Sequence, residues 1–325
     1  MKVLLLGATG LLGHNVLLRL MDEDHQVVVL VRHSDGIHLE MKGWETVTGS
    51  LLDYNTLEKA SEGCDAIINC AGTTDMSLRH YEDYLPVNRA LCEMLVRLVN
   101  EHGINILVHA STVNTIGYGS LDHPADESTP MQSPFKGSFY ADSKFEGEQI
   151  ILSAATATRH VVVINPGYMI GPYDVKPSSG RMLLAAYKRR LMLAPRGGKA
   201  FVHVDDVART MVSALTKGAS GNRYIVVNSR GMLTIKQLYE LQAEVCGYRQ
   251  KVLTCPDVLL KMAGVVGDFL RWMGMKTQVS SRNIKQLLVC EFYDNHHALC
   301  DLQLTETPIK KAINDFYEYR KRLKI

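Results

Sequence analysis

The 325-residue chain predicts a doubly wound α/β fold, a parallel sheet joined to a smaller, mainly helical C-terminal region. Three observations carry this. Short apolar runs alternate with longer helical patterns through the first half of the chain. The runs are continuously Val/Ile/Leu-rich instead of alternating polar and apolar, the pattern of strands covered on both faces. A glycine-spaced turn, "GATGLLG", stands between the first run and the first helix.

In chain order, "KVLLL" precedes a helix from about Leu11 to Met21, and "QVVVLV", "WETVTG" and "CDAIINCAG" supply three further strands. A long helix through "YLPVNRALCEMLVRLVNEHG" leads to the strand "INILVHAST", and the helix carrying "YADSKFEGEQIILSAAT" leads to "HVVVINP". Right-handed crossovers between such units produce the doubly wound arrangement. After Pro166 the alternation breaks. "GPYDVKPSSG" reads as a Gly/Pro/Ser-rich loop, "RMLLAAYKRRLML" as helical, and "KAFVHVDDVARTMVSAL" and "NRYIVVNS" as a return to the sheet. Helices dominate from Met232 onward. The expected division is a nucleotide-binding domain of residues 1–170 plus 201–229. A substrate region of 171–200 plus 230–295 and a helical tail of 296–325 complete it. The cleft between the first two is the expected site.

Composition narrows the function classes. Lys plus Arg is 36 and Asp plus Glu is 34, a net charge of +2, which gives no reason to expect nucleic acid or a membrane surface as partner. The seven cysteines are scattered, form no C-x-x-C and show no metal-ligand spacing with histidine, so reduced thiols in a cytoplasmic protein and no metal are expected. "MKVLLLGATG" is too short an apolar run for a signal peptide. The most apolar later stretch, "VLLKMAGVVGDFLRWMGM", carries Lys261, Asp268 and Arg271. It reads as an amphipathic helix packed on a core or over a pocket, not as a membrane span.

Gly7, Gly10 and Gly13 stand where a phosphate-binding turn needs them. Glycines permit the tight turn and a close backbone approach, and the helix N-terminus supplies free N–H groups and positive dipole. The second strand ends "VVVLVRHSD". Where an NAD-selective site places an acid for the ribose 2′-hydroxyl, Val31 stands, followed by Arg32. A guanidinium there can grip a 2′-phosphate, so NADP is favoured, while the nearby Asp35 keeps NAD open.

With these residues assembled, the chain resembles the extended short-chain dehydrogenase/reductase family, also described as the NAD-dependent epimerase/dehydratase family, over nearly its whole length. The carrying motifs are "GATGLLG", "GSLLDYNTLEKA", "INCAG", "VHASTVNTIG", "YADSK", "INPGYMIGP" and "FVHVDDVA", in that order. Within the family, the segments after Ile170 are most similar to the dihydroflavonol-4-reductase-like and hydroxysteroid-dehydrogenase-like branch. The resemblance implies a Rossmann fold and an NAD(P) cofactor. The implied cofactor contacts come from Gly7, Thr9, Gly10, Leu11, Leu12, Gly13, Arg32, Leu52, Asp53, Cys70, Ala71, Gly72 and Asn88, and from Pro166, Gly167 and Tyr168. For Asn88 a packing or capping role is equally open. Thr112 is implied as the catalytic hydroxyl, with Ser111 its neighbour. The resemblance also implies a homodimer through helices 85–102 and 138–158, although an apolar helix face serves a monomer equally.

Tyr140 and Lys144 are four residues apart, so on a helix they share a face. An unperturbed tyrosine titrates near about 10, and a neighbouring ammonium favours its phenolate, bringing it toward the range useful for proton exchange. As the resemblance implies, Tyr140 exchanges a proton with the substrate oxygen, Thr112 orients that oxygen, and Lys144 also holds the nicotinamide ribose. Met131, Phe139, Tyr168 and Met169 are candidate pocket residues, and "SSGRMLLAAYKRRLML" a candidate lid. The expected activity is reduction of a carbonyl or oxidation of an alcohol on a small molecule with NADP(H). The alternative is a sugar-nucleotide epimerase or dehydratase, for which Arg181, Arg196 and Arg209 are the cations available to a diphosphate.

Overall fold

A computed structural model describes residues 1–32, 43–175, 177–275 and 277–324. Seven parallel strands form the main sheet: β1 (Lys2–Leu6), β2 (Gln26–Val31), β3 (Glu45–Thr48), β4 (Ala66–Asn69), β5 (Ile106–Ala110), β6 (His160–Pro166) and β10 (Asn222–Val226). Their order is β10-β6-β5-β4-β1-β2-β3, so the direction of winding reverses at β1 and β4. A crevice opens at the C-terminal ends of strands at such a reversal.

The unbroken apolar runs have a direct structural cause. In β1, Val3 and Leu5 face helices α1 (Leu11–Asp22) and α6 (Val204–Ser213), while Leu4 and Leu6 face α2 (Tyr54–Ser61) and α3 (Leu91–His102). Helix α4 (Phe139–Leu152) joins this second layer through Ile151. Both faces are covered, so the strands are apolar along most of their length, and buried polar side chains stand only toward their C-terminal ends, at Asn69, His109 and Asn165. A π-helical turn, Pro86–Ala90, precedes α3. There α4 comes so close that a Cβ on Gly147 would stand 2.0 Å from the Asn88 carbonyl oxygen.

Two expectations for the second half are corrected. Gly198–His203 (β9) does not rejoin the main sheet. It pairs with β7 (Tyr168–Ile170) and β11 (Met232–Thr234) in a separate three-stranded sheet. β7 leaves the main sheet just beyond β6, at Gly167, where an added Cβ would meet the Ala200 carbonyl oxygen at 2.4 Å. The stretch "RMLLAAYKRRLML" is not one helix. It divides into α5 (Gly180–Ala186) and a strand β8 (Leu191–Ala194), which pairs with β12 (Lys251–Thr254). The strand pairing replaces the helical hydrogen bonds that an isolated amphipathic segment would have used. Helices α7 (Ile235–Val245), α8 (Asp257–Trp272), α9 (Ser281–Leu287), α10 (His296–Asp301) and α11 (Ile309–Arg322) complete the chain.

Candidate active site

The turn between β1 and α1 is built by two close approaches. Gly7 has φ +81°, and a Cβ there would stand 2.6 Å from the Ala71 nitrogen; a Cβ on Gly13 would stand 2.1 Å from the Gly7 carbonyl oxygen. Gly7 and Gly13 therefore shape the turn, while Gly10 faces open space apart from the Gly7 carbonyl at 3.4 Å. Helix α1 begins at Gly10 with no side-chain cap, which leaves its first amides for a ligand. These residues open onto a cavity of about 620 Å³. Thr9, Gly10, Leu11, Leu12 and Arg32 line one part of it, Cys70, Ala71 and Gly72 another, and Tyr140, Lys144 and Pro166 a third. Uncapped amides, a bare glycine floor and a cation at the end of β2 suit a pyrophosphate-bearing cofactor. Burial pushes the Cys70 thiol up to about 12, so it is an inert wall.

The remaining expected contacts stand behind or away from that lining. Asn88 is buried. Its Oδ1 accepts from the Thr73 nitrogen at 2.8 Å, and its Nδ2 donates to the Thr73 oxygen at 3.1 Å and the Ser143 hydroxyl at 3.0 Å. It thus fastens the segment after Gly72 to α4. The Asp53 carboxylate accepts from the Thr56 hydroxyl at the start of α2, and Leu52 is exposed. Tyr168 packs edge-on to Phe201, with its hydroxyl donating to the Ser179 oxygen at 3.1 Å. Of the expected pocket residues, Met169 lines the cavity, while Phe139 carries the Arg282 guanidinium over its ring at 4.1 Å. Asp35 lies outside the described residues.

Tyr140, Lys144 and Glu148 follow at four-residue intervals along α4 and form one face of it. Thr112 stands beside Tyr140 and favours its phenolate, but burial is the larger influence and raises the Tyr140 pKa. The expected lowering by Lys144 is not seen. Its Nζ instead donates to the Ala110 carbonyl at 2.7 Å and lies 3.4 Å from His109 Nε2. The lysine is itself buried, and that burial lowers its pKa.

Three buried residues not singled out in the sequence hold this arrangement. Asn69 Oδ1 accepts from the Ala71 nitrogen at 3.0 Å, and its Nδ2 lies 3.1 Å from His109 Nδ1. Burial and the neighbouring Lys144 hold His109 well below the ordinary histidine range, so it stays neutral. Glu148 accepts from Ser111 at 2.6 Å, Thr115 at 2.8 Å and Asn165 at 2.8 Å, and pairs with Arg223 at 2.9 Å. Ser111 is thereby turned inward to Glu148, whereas Thr112 meets Tyr140. The signal for Glu148 was present as the next four-residue step in "YADSKFEGE"; His109 and Asn69 are strand residues with no motif of their own.

Among the described lining residues the only Lys or Arg are Arg32 and Lys144. Arg209 pairs with Asp205 and Arg196 with Asp257, and neither they nor Arg181 line the cavity. No group of three or more His, Cys, Asp or Glu among the described residues is placed to hold a metal ion.

The sequence matches the NAD dependent epimerase/dehydratase family over residues 3–228. The chain belongs to this family. It is thus an NAD(P)-dependent oxidoreductase by descent, on a Rossmann-type sheet. It is similar to a putative dihydroflavonol 4-reductase of Synechocystis, 28% identical over 95% of this chain and 91% of that one. It is also similar to sterol demethylase protein B of Methylococcus capsulatus, 26% identical over 97% of each. Among solved structures of the same fold, a UDP-glucose 4-epimerase of Thermotoga maritima with UDP-glucose superposes with a TM-score of 0.78. It is 18% identical and covers the whole of both chains. Among the described residues, no helix is long and apolar enough to cross a membrane.

Proposed function

We propose that this family member is an NADP(H)-dependent reductase acting on the carbonyl group of a small, largely apolar compound. The observation that carries the reading is the placement of Thr112 beside Tyr140, on the face of α4 that also bears Lys144, next to a glycine cradle and Arg32. The cofactor, when bound, supplies or accepts the hydride. Burial favours the phenol form of Tyr140, the form that can hand a proton to a carbonyl oxygen as negative charge develops there. Thr112 orients that oxygen. Lys144, one turn along, would hold the ribose hydroxyls, as its family counterparts do. Met169, Tyr173 and Val175 give the substrate part of the cavity an apolar wall. The scarcity of cations in the described lining argues against a sugar nucleotide, whose diphosphate needs them. The similarity to a putative reductase and to a sterol-processing protein supports the same substrate class.

A screen of carbonyl compounds with NADPH, run beside UDP- and dTDP-sugars with product analysis, tests this. Net loss of NADPH absorbance with one carbonyl substrate is expected; conversion of a sugar nucleotide without net cofactor change would transfer the protein to the epimerase reading. Arg32→Ala should weaken NADPH by about 1.5–3 kcal/mol, the scale of hydrogen bonds to charged groups, and leave NADH nearly unchanged. Fluorescence titration of both cofactors checks it, and equal losses for the two would remove the role given to Arg32.

A further inference from the structure

Helix α8 is turned the wrong way round for a soluble surface. Val258, Met262, Val265, Val266, Phe269 and Trp272 recur at helical spacing and all point outward, with Trp272 81% and Val265 64% exposed. The opposite side of the helix is what packs. A Cβ on Gly264 would meet Ser281 Cα at 2.9 Å, and one on Gly267 the Val279 carbonyl oxygen at 2.2 Å. The apolar stripe therefore plays no part in holding the helix to its own domain. The β8–β12 ribbon, from which α8 departs after Cys255 and Pro256, adds exposed Leu191, Leu193 and Leu253. An apolar surface of this extent marks an interaction site.

Charge identifies the partner. Residues 187–198 and 249–290 contain eleven Lys and Arg against two acids, Asp257 and Asp268, in a chain whose net charge is only +2. Lys188, Arg189, Arg190, Arg249 and Lys251 stand exposed around the start of the ribbon, and Lys261, Arg282 and Lys285 on or beside α8. Aromatic and aliphatic side chains on one face of a helix too short to span, surrounded by cations, match a bilayer interface with anionic headgroups.

We propose that α8 and the β8–β12 ribbon dock this protein on the surface of an anionic lipid bilayer. The C-terminal end of α8 then stands beside the catalytic cavity. Arg271 donates to the Leu78 oxygen at 2.8 Å and its own carbonyl accepts from Arg79, in the segment that continues from the cavity residues Gly72 and Thr74. Docking would bring the mouth of the cavity to a source of apolar substrate. That consequence rests on the proposed reductase reading, while the docking itself does not.

The test is co-sedimentation of the full chain with phosphatidylcholine vesicles, with and without phosphatidylserine, at low and high salt. The protein should sediment with the anionic vesicles, more weakly with phosphatidylcholine alone, and be released by salt. Val265→Ser, Phe269→Ser and Trp272→Ser together should reduce the bound fraction about tenfold or more at unchanged melting temperature, because these side chains already face solvent. In a Trp44→Phe background the remaining tryptophan, Trp272, should shift its emission to the blue on anionic vesicles. No binding to anionic vesicles would overturn the proposal. So would a vesicle-independent dimer that the triple variant dissociates, which would make this face a contact between two copies of the chain.

Discussion

Helices α4 and α8 are of similar length, 14 and 16 residues, and both use glycine to bring their backbone against a neighbour. Their polarity is inverted in opposite senses. Helix α4 buries Ser143, Lys144 and Glu148 against the end of the sheet, while α8 presents valine, methionine, phenylalanine and tryptophan to the outside. Surface apolar residues scattered singly are unremarkable, and so is a buried leucine. What carries information is a buried charge or a broad apolar face. The buried charges of α4 are each engaged: Lys144 by the Ala110 carbonyl, Glu148 by two hydroxyls, an amide and a guanidinium. The apolar face of α8 has no comparable set of contacts. One inversion is completed within the chain, and the other calls for a partner.

The sharpest way to probe the completed one is to remove its proton donor. Tyr140→Phe keeps the ring and loses the hydroxyl, and turnover should fall by about 10²–10⁴-fold, the range for a lost general acid, with cofactor binding retained. Steady-state kinetics beside a cofactor titration measure both. Wild-type turnover in this variant would sever the Tyr140 assignment from α4's buried face.

A smaller effect is expected from the charge beneath. Glu148→Gln leaves Arg223 without its counter-ion. Breaking a buried pair typically costs about 3–5 kcal/mol, and the lower end is expected because Arg223 still donates to the Glu127 carbonyl. Denaturant unfolding reads this. A change under one kilocalorie, about what an exposed pair contributes, would mean that the network is no more than a surface ion pair displaced inward.

The smallest effect has the opposite sign. Burial holds the folded-state pKa of Lys144 below its ordinary 10.5, so the unfolded chain takes up that proton more readily. Stability therefore rises with pH between the lowered value and 10.5, and below that window the buried ammonium is a standing cost. Lys144→Met should stabilise the cofactor-free protein by about 1 kcal/mol at neutral pH, and the gain should shrink as pH climbs through the window. Melting curves across pH decide it. A destabilised variant at neutral pH would show that the Ala110 hydrogen bond outweighs the desolvation.

The local order of the chain is enough to specify the sheet, the glycine turn and the Tyr/Lys step, because each depends on short-range rules. Doubly covered strands need unbroken apolar runs, a close approach needs glycine, and four residues make one helical turn. The alternating sides of β1 and the positions of Gly7 and Gly13 follow from these rules without reference to anything distant. Other features depend on which segments meet, and that is a property of the tertiary structure alone. Residues 106–110 and 160–166 must lie side by side before Ser111 and Asn165 can share the Glu148 carboxylate. Whether Lys144 aims at Tyr140 or at a carbonyl is decided by where the end of β5 passes. Leu191–Ala194 became a strand because β12 was there to pair with it. The net charge of +2 concealed a basic, apolar region, since composition sums over surfaces that the fold keeps apart. In α8 the apolar periodicity specified a helix with one apolar side; the glycines packed against Val279 and Ser281 turned that side outward.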